Sequence, residues 1–129
     1  MNKSFVLLLV ASVSLMAIEW RSYKEALVEA KSTDKIVMID TIRNHCHYCE
    51  DMQKNVFEDK NMTLFIEKDF IPVRINISNE KLPLGLHVSV TPTFFFISKD
   101  EKIIKEVPGS WNIEDFTYFL NKVKIEEKK

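Results

Sequence analysis

Glycine and proline are scarce in this chain, two and four in 129 residues, which excludes collagen-like repeats and the composition of disordered tracts. Cysteine is scarcer than a small disulfide scaffold requires, since two residues can close one bridge at most. Neither sign of charge prevails. Eighteen Lys and Arg stand against nineteen Asp and Glu, a net of -1, and no basic block supplies the electrostatic footprint of a nucleic-acid binder. No apolar run reaches the ~20 residues that span a bilayer. With 46% hydrophobic residues and a length well below the roughly 250 at which single cores divide, the chain suits one packed domain.

The stretch from Phe5 to Ala17 carries no charge and follows a single cation at Lys3. A positive start, a short apolar middle and small residues near its end (Ser12 with Ser14, or Ala17) read as a secretory signal over residues 1–17, leaving a domain at 18–129. An uncleaved anchor or a buried helix is the competing reading. Export would carry the protein out of the cytoplasm, where a cysteine pair can cycle through a disulfide without glutathione dictating its state.

Trp20, Tyr23, Leu27 and Ala30 recur at helical spacing among Glu and Lys, which predicts a helix over 19–31. Ile36-Val37-Met38-Ile39 is a short β-rich run, the pattern of a strand buried on both faces. After Cys46, the residues Cys49, Met52 and Val56 share one helical face, so the cysteine pair opens a helix. A further helix is expected over 61–68 with Asn61 as its cap. Phe70 to Ile77 alternates as a strand, and Pro72 within it favours a sheet edge. Residues 78–91 read as a loop with at most a short helix near Lys81 to His87. Thr93–Ile97 and Lys102–Val107 flank polar Ser98 to Glu101 as a hairpin. Pro108-Gly109 ends it, and Asn112 with Asp115 caps a closing helix striped by Ile113, Phe116, Leu120 and Val123. The Lys124 to Lys129 tail is expected to be solvated. This order argues for an α/β sandwich with helices on both faces of a mixed sheet.

Four readings compete for Asn44-His45-Cys46-His47-Tyr48-Cys49-Glu50. As a structural disulfide the pair would tie residues already adjacent on one turn, for a gain of only about 2 kcal/mol. Haem attachment needs a histidine after the second cysteine, where Glu50 stands. Zinc or copper could take both thiolates with His45, His47 or His87, yet no second ligand cluster exists. A redox dithiol after a strand and at a helix start is the remaining reading. It needs no metal, flavin or nucleotide, because the dithiol itself carries two electrons. At the helix start Cys46 meets unsatisfied N–H groups and the positive end of the dipole, so it is the expected nucleophile. Cys49, a turn inward on the apolar face, is expected to stay protonated and resolve the mixed disulfide. Protonated His45 or His47 would favour the Cys46 thiolate; their plain alternative is solvent-exposed flanking.

From about Trp20 to Val123 these residues resemble the thioredoxin-like family. Cys46-His47-Tyr48-Cys49 after one strand and Thr91-Pro92-Thr93 before another occupy the family's two signature places. Cys-x-x-Cys-x-x-Met52 and Phe70-Ile71-Pro72-Val73 look most like single-domain relatives of the C-terminal domain of the periplasmic thiol:disulfide interchange reductase. The resemblance implies a thioredoxin fold with strand order 2-1-3-4, flanked by helices in three layers. It also implies a cis Thr91–Pro92 bond where substrate pairs, with His47 and Tyr48 beside it. Asp40, six residues before Cys46, matches the buried acid that takes the resolving proton, unless it simply ends its strand. Arg74 matches a basic residue near that acid, and Gly109 a glycine near the substrate groove, unless it is turn punctuation. The implied activity is a periplasmic protein-disulfide reductase, a monomer acting on oxidised protein partners and recharged by a membrane electron-transfer partner. Two departures matter: His45 replaces the usual Trp, and His47-Tyr48 replaces Gly-Pro, so the direction of electron flow is not inherited. Tyr48 with Thr91 is similar to disulfide isomerases, and a histidine between the cysteines to disulfide oxidases. Those families carry an inserted or dimerisation domain for which this chain has no room.

Overall fold

A computed structural model describes residues 17–129, so residues 1–16 of the expected signal lie outside it. The described elements run α1 (Tyr23–Thr33), β1 (Ile36–Ile42), α2 (His47–Met52), a π-helical turn (Gln53–Phe57), α3 (Lys60–Asp69) and β2 (Phe70–Asn76). A 3-10 turn (Pro83–Gly85), β3 (Thr93–Ile97), β4 (Ile103–Pro108) and α4 (Ile113–Glu127) follow. The four strands form one sheet in the order β2-β1-β3-β4. β1 pairs parallel with β2 and antiparallel with β3, and β3 pairs antiparallel with β4. This is the mixed 2-1-3-4 sheet of the thioredoxin fold.

Alternation along β1 sorts the core into two layers. Val37 and Ile39 join Ala26 and Ala30 of α1, Ile71 and Val73 of β2, and Phe95 and Ile97 of β3. The loop before β3 completes this face through Leu82, Leu86 and Val88. Met38 points to the other face, with Phe94, Phe96, Phe116, Leu120, Met52, Val56 and Ile66. There Phe94 and Phe116 approach to 4.9 Å between ring centroids, and Phe57 lies 6.0 Å from the first and 5.9 Å from the second. Such tilted and edge-on contacts add to the burial that holds the helices down.

Several local expectations need correction. β1 does not stop at Ile39 but continues to Ile42, which places Asp40 inside the strand rather than at its end. α1 starts at Tyr23, because Ser22 caps it with a reciprocal capping box to Glu25. Trp20 and Arg21 are therefore outside the helix. The Arg21 N–H donates to the Pro72 carbonyl at 2.9 Å, forming a short parallel bridge on the outer flank of β2. In a strand, a residue's nitrogen and carbonyl face the same side, so the donor Pro72 lacks also faces outward, where no β1 ladder bond is lost. α3 is capped by Asp59, not Asn61: the Asp59 carboxylate accepts from the Met62 N–H at 2.9 Å. The face that begins at Cys49 survives the π-helical turn, with Met52 and Val56 both buried. Asn112 does cap α4, accepting from the Asp115 N–H at 2.8 Å. α4 runs on to Glu127, and Lys124 is anchored to Asp69 at 2.8 Å rather than free in solvent.

Candidate active site

Cys46 and Cys49 are joined in a disulfide, their Cα atoms 5.2 Å apart. Cys46 is the N-cap of α2, and its Sγ accepts the Cys49 N–H at 3.2 Å. The Thr91 hydroxyl donates to the same Sγ, also at 3.2 Å, and the Thr91 carbonyl lies 3.5 Å away. A disulfide sulfur has no proton to give, so that last approach is a contact until the bond is reduced. Two donors thus converge on one sulfur. Cys46 is only 9% exposed, whereas Cys49 is half-buried. This reverses the exposure expected from the position of Cys49 one turn inward, and the reason is that the Thr91 segment covers Cys46.

Thr91–Pro92 is a cis peptide. It is held at the end of β1 by Thr41, whose hydroxyl donates to the Thr93 carbonyl at 2.7 Å and accepts the Thr93 N–H at 3.1 Å. The Pro92 carbonyl accepts from the Gly109 N–H at 2.8 Å. Gly109 has φ +100, a backbone conformation natural to glycine, and sits against the Trp111 ring. The Trp111 N–H in turn donates to Met52 Sδ at 3.1 Å, tying the start of α4 to the cysteine helix. Around the disulfide, Tyr48, Val90 and Ile113 are exposed apolar or aromatic side chains. Tyr48 and Trp111 line an open cavity of about 690 Å³ with Asp51, Asn55 and Glu114.

On the other side a cavity of about 410 Å³ is lined by Cys46, Cys49, Gln53 and Arg74. Behind Arg74 lies Asp40, 1% exposed, whose Oδ2 accepts from the Arg74 Nε at 3.0 Å and whose Oδ1 has no hydrogen-bond partner among the described residues. Burial pushes the Asp40 carboxyl up to about 6, against the pull of the Arg74 charge and hydrogen bond. A carboxyl titrating there can both take and release a proton near neutral pH. His45 is exposed and adopts φ 56 immediately before Cys46. His47 is 80% exposed and turns to Asp51, with Nε2 3.5 Å from the carboxylate. Neither histidine hydrogen-bonds to a sulfur. His87 lines a separate cavity under the loop before β3. Among the described residues no group of three or more His, Cys, Asp or Glu is arranged to hold a metal ion. Sequence reasoning missed Gln53, whose Oε1 accepts from an Arg74 nitrogen at 2.9 Å, and the aim of the Thr91 hydroxyl at sulfur.

The pattern of a thioredoxin-like domain matches residues 23–124, and the chain belongs to the thioredoxin-like family. None of the curated proteins matches it in sequence. Among solved structures, a thioredoxin from Thermus thermophilus is 26% identical, with 85% of this chain and 89% of that one covered at a TM-score of 0.72. The oxidised C-terminal domain of DsbD from Neisseria meningitidis is 14% identical, covering 77% and 90% at 0.60. A disulphide isomerase from Xylella fastidiosa is 24% identical, covering 65% and 69% at 0.55. The last two establish likeness of fold alone. The class is thus a thioredoxin-like disulfide oxidoreductase fold carrying its Cys-x-x-Cys pair at bonding distance.

Proposed function

We propose that the protein is an exported thiol:disulfide oxidoreductase that reduces protein disulfides in the periplasm. The observation that carries dithiol exchange at this site, whichever way the electrons run, is the Cys46 sulfur, which receives both the Cys49 N–H and the Thr91 hydroxyl. Donors aimed at a sulfur favour thiolate over thiol, and the thiolate is the attacking species. The Cys46 thiolate attacks one sulfur of a partner disulfide; that bond breaks, and the partner's other sulfur leaves as a thiolate and is protonated. Cys49 then gives its proton to Asp40 and attacks Cys46 Sγ, which forms the Cys46–Cys49 bond and frees the partner's second thiol. Two electrons pass to the partner, and a membrane electron-transfer partner returns them. Thr91, Pro92, His47 and Tyr48 form the substrate-facing rim, and the open cavity beside Tyr48 and Trp111 gives an extended segment room to lie. The charge-free stretch before Ile18 supports export, and among the described residues no helix is long and apolar enough to cross a membrane.

The two donors also favour a second direction. Stabilising the reduced form makes a disulfide more oxidising, which suits an oxidase or isomerase. Equilibration with glutathione decides between them: a midpoint near about −270 mV supports the reductase, one near about −120 mV overturns it. Reduction of insulin should be lost in Cys46→Ser, while Cys49→Ser should accumulate mixed disulfides identifiable by mass spectrometry. Wild-type turnover in both variants would refute dithiol exchange altogether.

A further inference from the structure

Arg74 is gripped by more than its carboxylate. On β2 it stands opposite Asp40 on β1, so the two side chains share a face of the sheet. Its Nε reaches Asp40 at 3.0 Å and a terminal nitrogen reaches Gln53 Oε1 at 2.9 Å. Its guanidinium carbon also lies 3.8 Å from the centroid of the Trp20 ring, the flat stacking distance of a cation on an aromatic face. Trp20 is itself wedged edge-on against Phe57, at 5.3 Å between centroids. Its neighbour Arg21 pins the segment through the Pro72 carbonyl and paired contacts to Glu29 and Glu67. Trp20 and Gln53 therefore approach the guanidinium from two different segments, and Asp40 from a third.

We propose that Trp20 and Gln53 are positioning residues for the dithiol step: they clamp the Arg74 guanidinium against Asp40 and so set the pH range over which Asp40 accepts the Cys49 proton. The inference rests on the reading of Asp40 as that acceptor. From β2 Asp40 faces Arg74, and from β3 it faces the uncharged Phe94. The cavity that Arg74 shares with Cys49 and Gln53 also has the charged or titratable Arg43, His45, Glu50, Lys54 and Glu58 on its rim. Among the described residues Arg74 is the one cation bonded to the carboxyl, and it opposes the effect of burial. A guanidinium free to swing toward the open cavity would leave burial unopposed, so Asp40 would hold its proton to higher pH.

The test follows release of glutathione from the Cys46 mixed disulfide as a function of pH, in the full chain, alongside an NMR titration of the Asp40 carboxyl carbon. Trp20→Leu and Gln53→Met should each raise both midpoints by about half to one pH unit. Release at neutral pH should slow severalfold and recover at higher pH, and Trp20→Phe, which keeps an aromatic face, should restore most of the rate. An unmoved Asp40 titration in folded Trp20→Leu and Gln53→Met overturns the clamp; should the leucine variant fail to fold, Gln53→Met decides alone. A shifted titration together with unaltered release in Asp40→Asn upholds the clamp on Arg74 and instead refutes Asp40 as the acceptor.

Discussion

The two faces of the sheet are built from the same strands yet do different work. Toward α1, β1 presents Val37 and Ile39 to a layer of apolar side chains that holds no buried charge. Toward α2 and α4 it presents Met38 and then Asp40, a buried carboxyl set among phenylalanines and held by one guanidinium. The first face is an ordinary core, where every contact lowers the free energy of folding. The second keeps an ionisable group where burial works against its charge, and a buried ion pair often contributes less than apolar side chains of similar size. The contrast assigns stability to one side of β1 and proton chemistry to the other.

That assignment breaks most visibly if Ile39→Ala impairs catalysis. The substitution should cost about 2–5 kcal/mol of stability, measured by denaturant unfolding, with disulfide reduction per folded molecule unchanged. Asp40→Asn should do the reverse. Its native carboxyl titrates at about 6, above the unfolded value of about 4. Below about pH 4 both states hold the proton; as pH rises through about 6 the native state must ionise a buried group, and stability is lost. Asn escapes that loss, so relative to wild type the variant should gain up to about 3 kcal/mol between about pH 4 and neutral pH while resolving mixed disulfides more slowly; a stability difference that does not change over that pH range would refute the raised titration. Thr91→Val removes one donor from the Cys46 sulfur, an effect of about 1 kcal/mol. It should slow alkylation of the reduced protein near neutral pH, and an unchanged pH profile of alkylation would deny the hydroxyl a part in stabilising the thiolate. The smallest effect is expected at His47, which is largely solvated and faces Asp51. His47→Gln should leave the melting temperature unchanged, and a clear loss of stability would mean the exposed pair matters more than such pairs usually do.

The sequence made the nucleophile's neighbourhood legible because that information is local. A β-rich run, then Cys-x-x-Cys with Met52 and Val56 on the same helical face, places the pair at a helix start without reference to the rest of the chain. Asp40 is readable as a buried acid only through family resemblance, because the apolar run stops at Ile39 and nothing in it signals that β1 continues to Ile42. What could not be read comes from contacts between distant residues. Trp20 fits a helical spacing with Tyr23 and Leu27, but its partner is Arg74, more than fifty residues on, and the capping box at Ser22 starts the helix after it. Asp59 and Asn61 are both competent caps, and only the backbone path selects the first. Gln53 and the Thr91 hydroxyl acquire their roles from partners that chain proximity does not supply.

The outer flank of β2 is closed twice, by a proline with no amide hydrogen and by Arg21, which already occupies that proline's carbonyl. On the opposite flank, β4 has no strand beyond it among the described residues. Growth of the sheet by recruitment of a foreign polypeptide, whether a docked client or the first layer of an aggregate, is thereby favoured on the Ile103–Pro108 side over the obstructed β2 side. There the charges of Lys105 and Glu106 and the terminal Pro108 serve as gatekeepers.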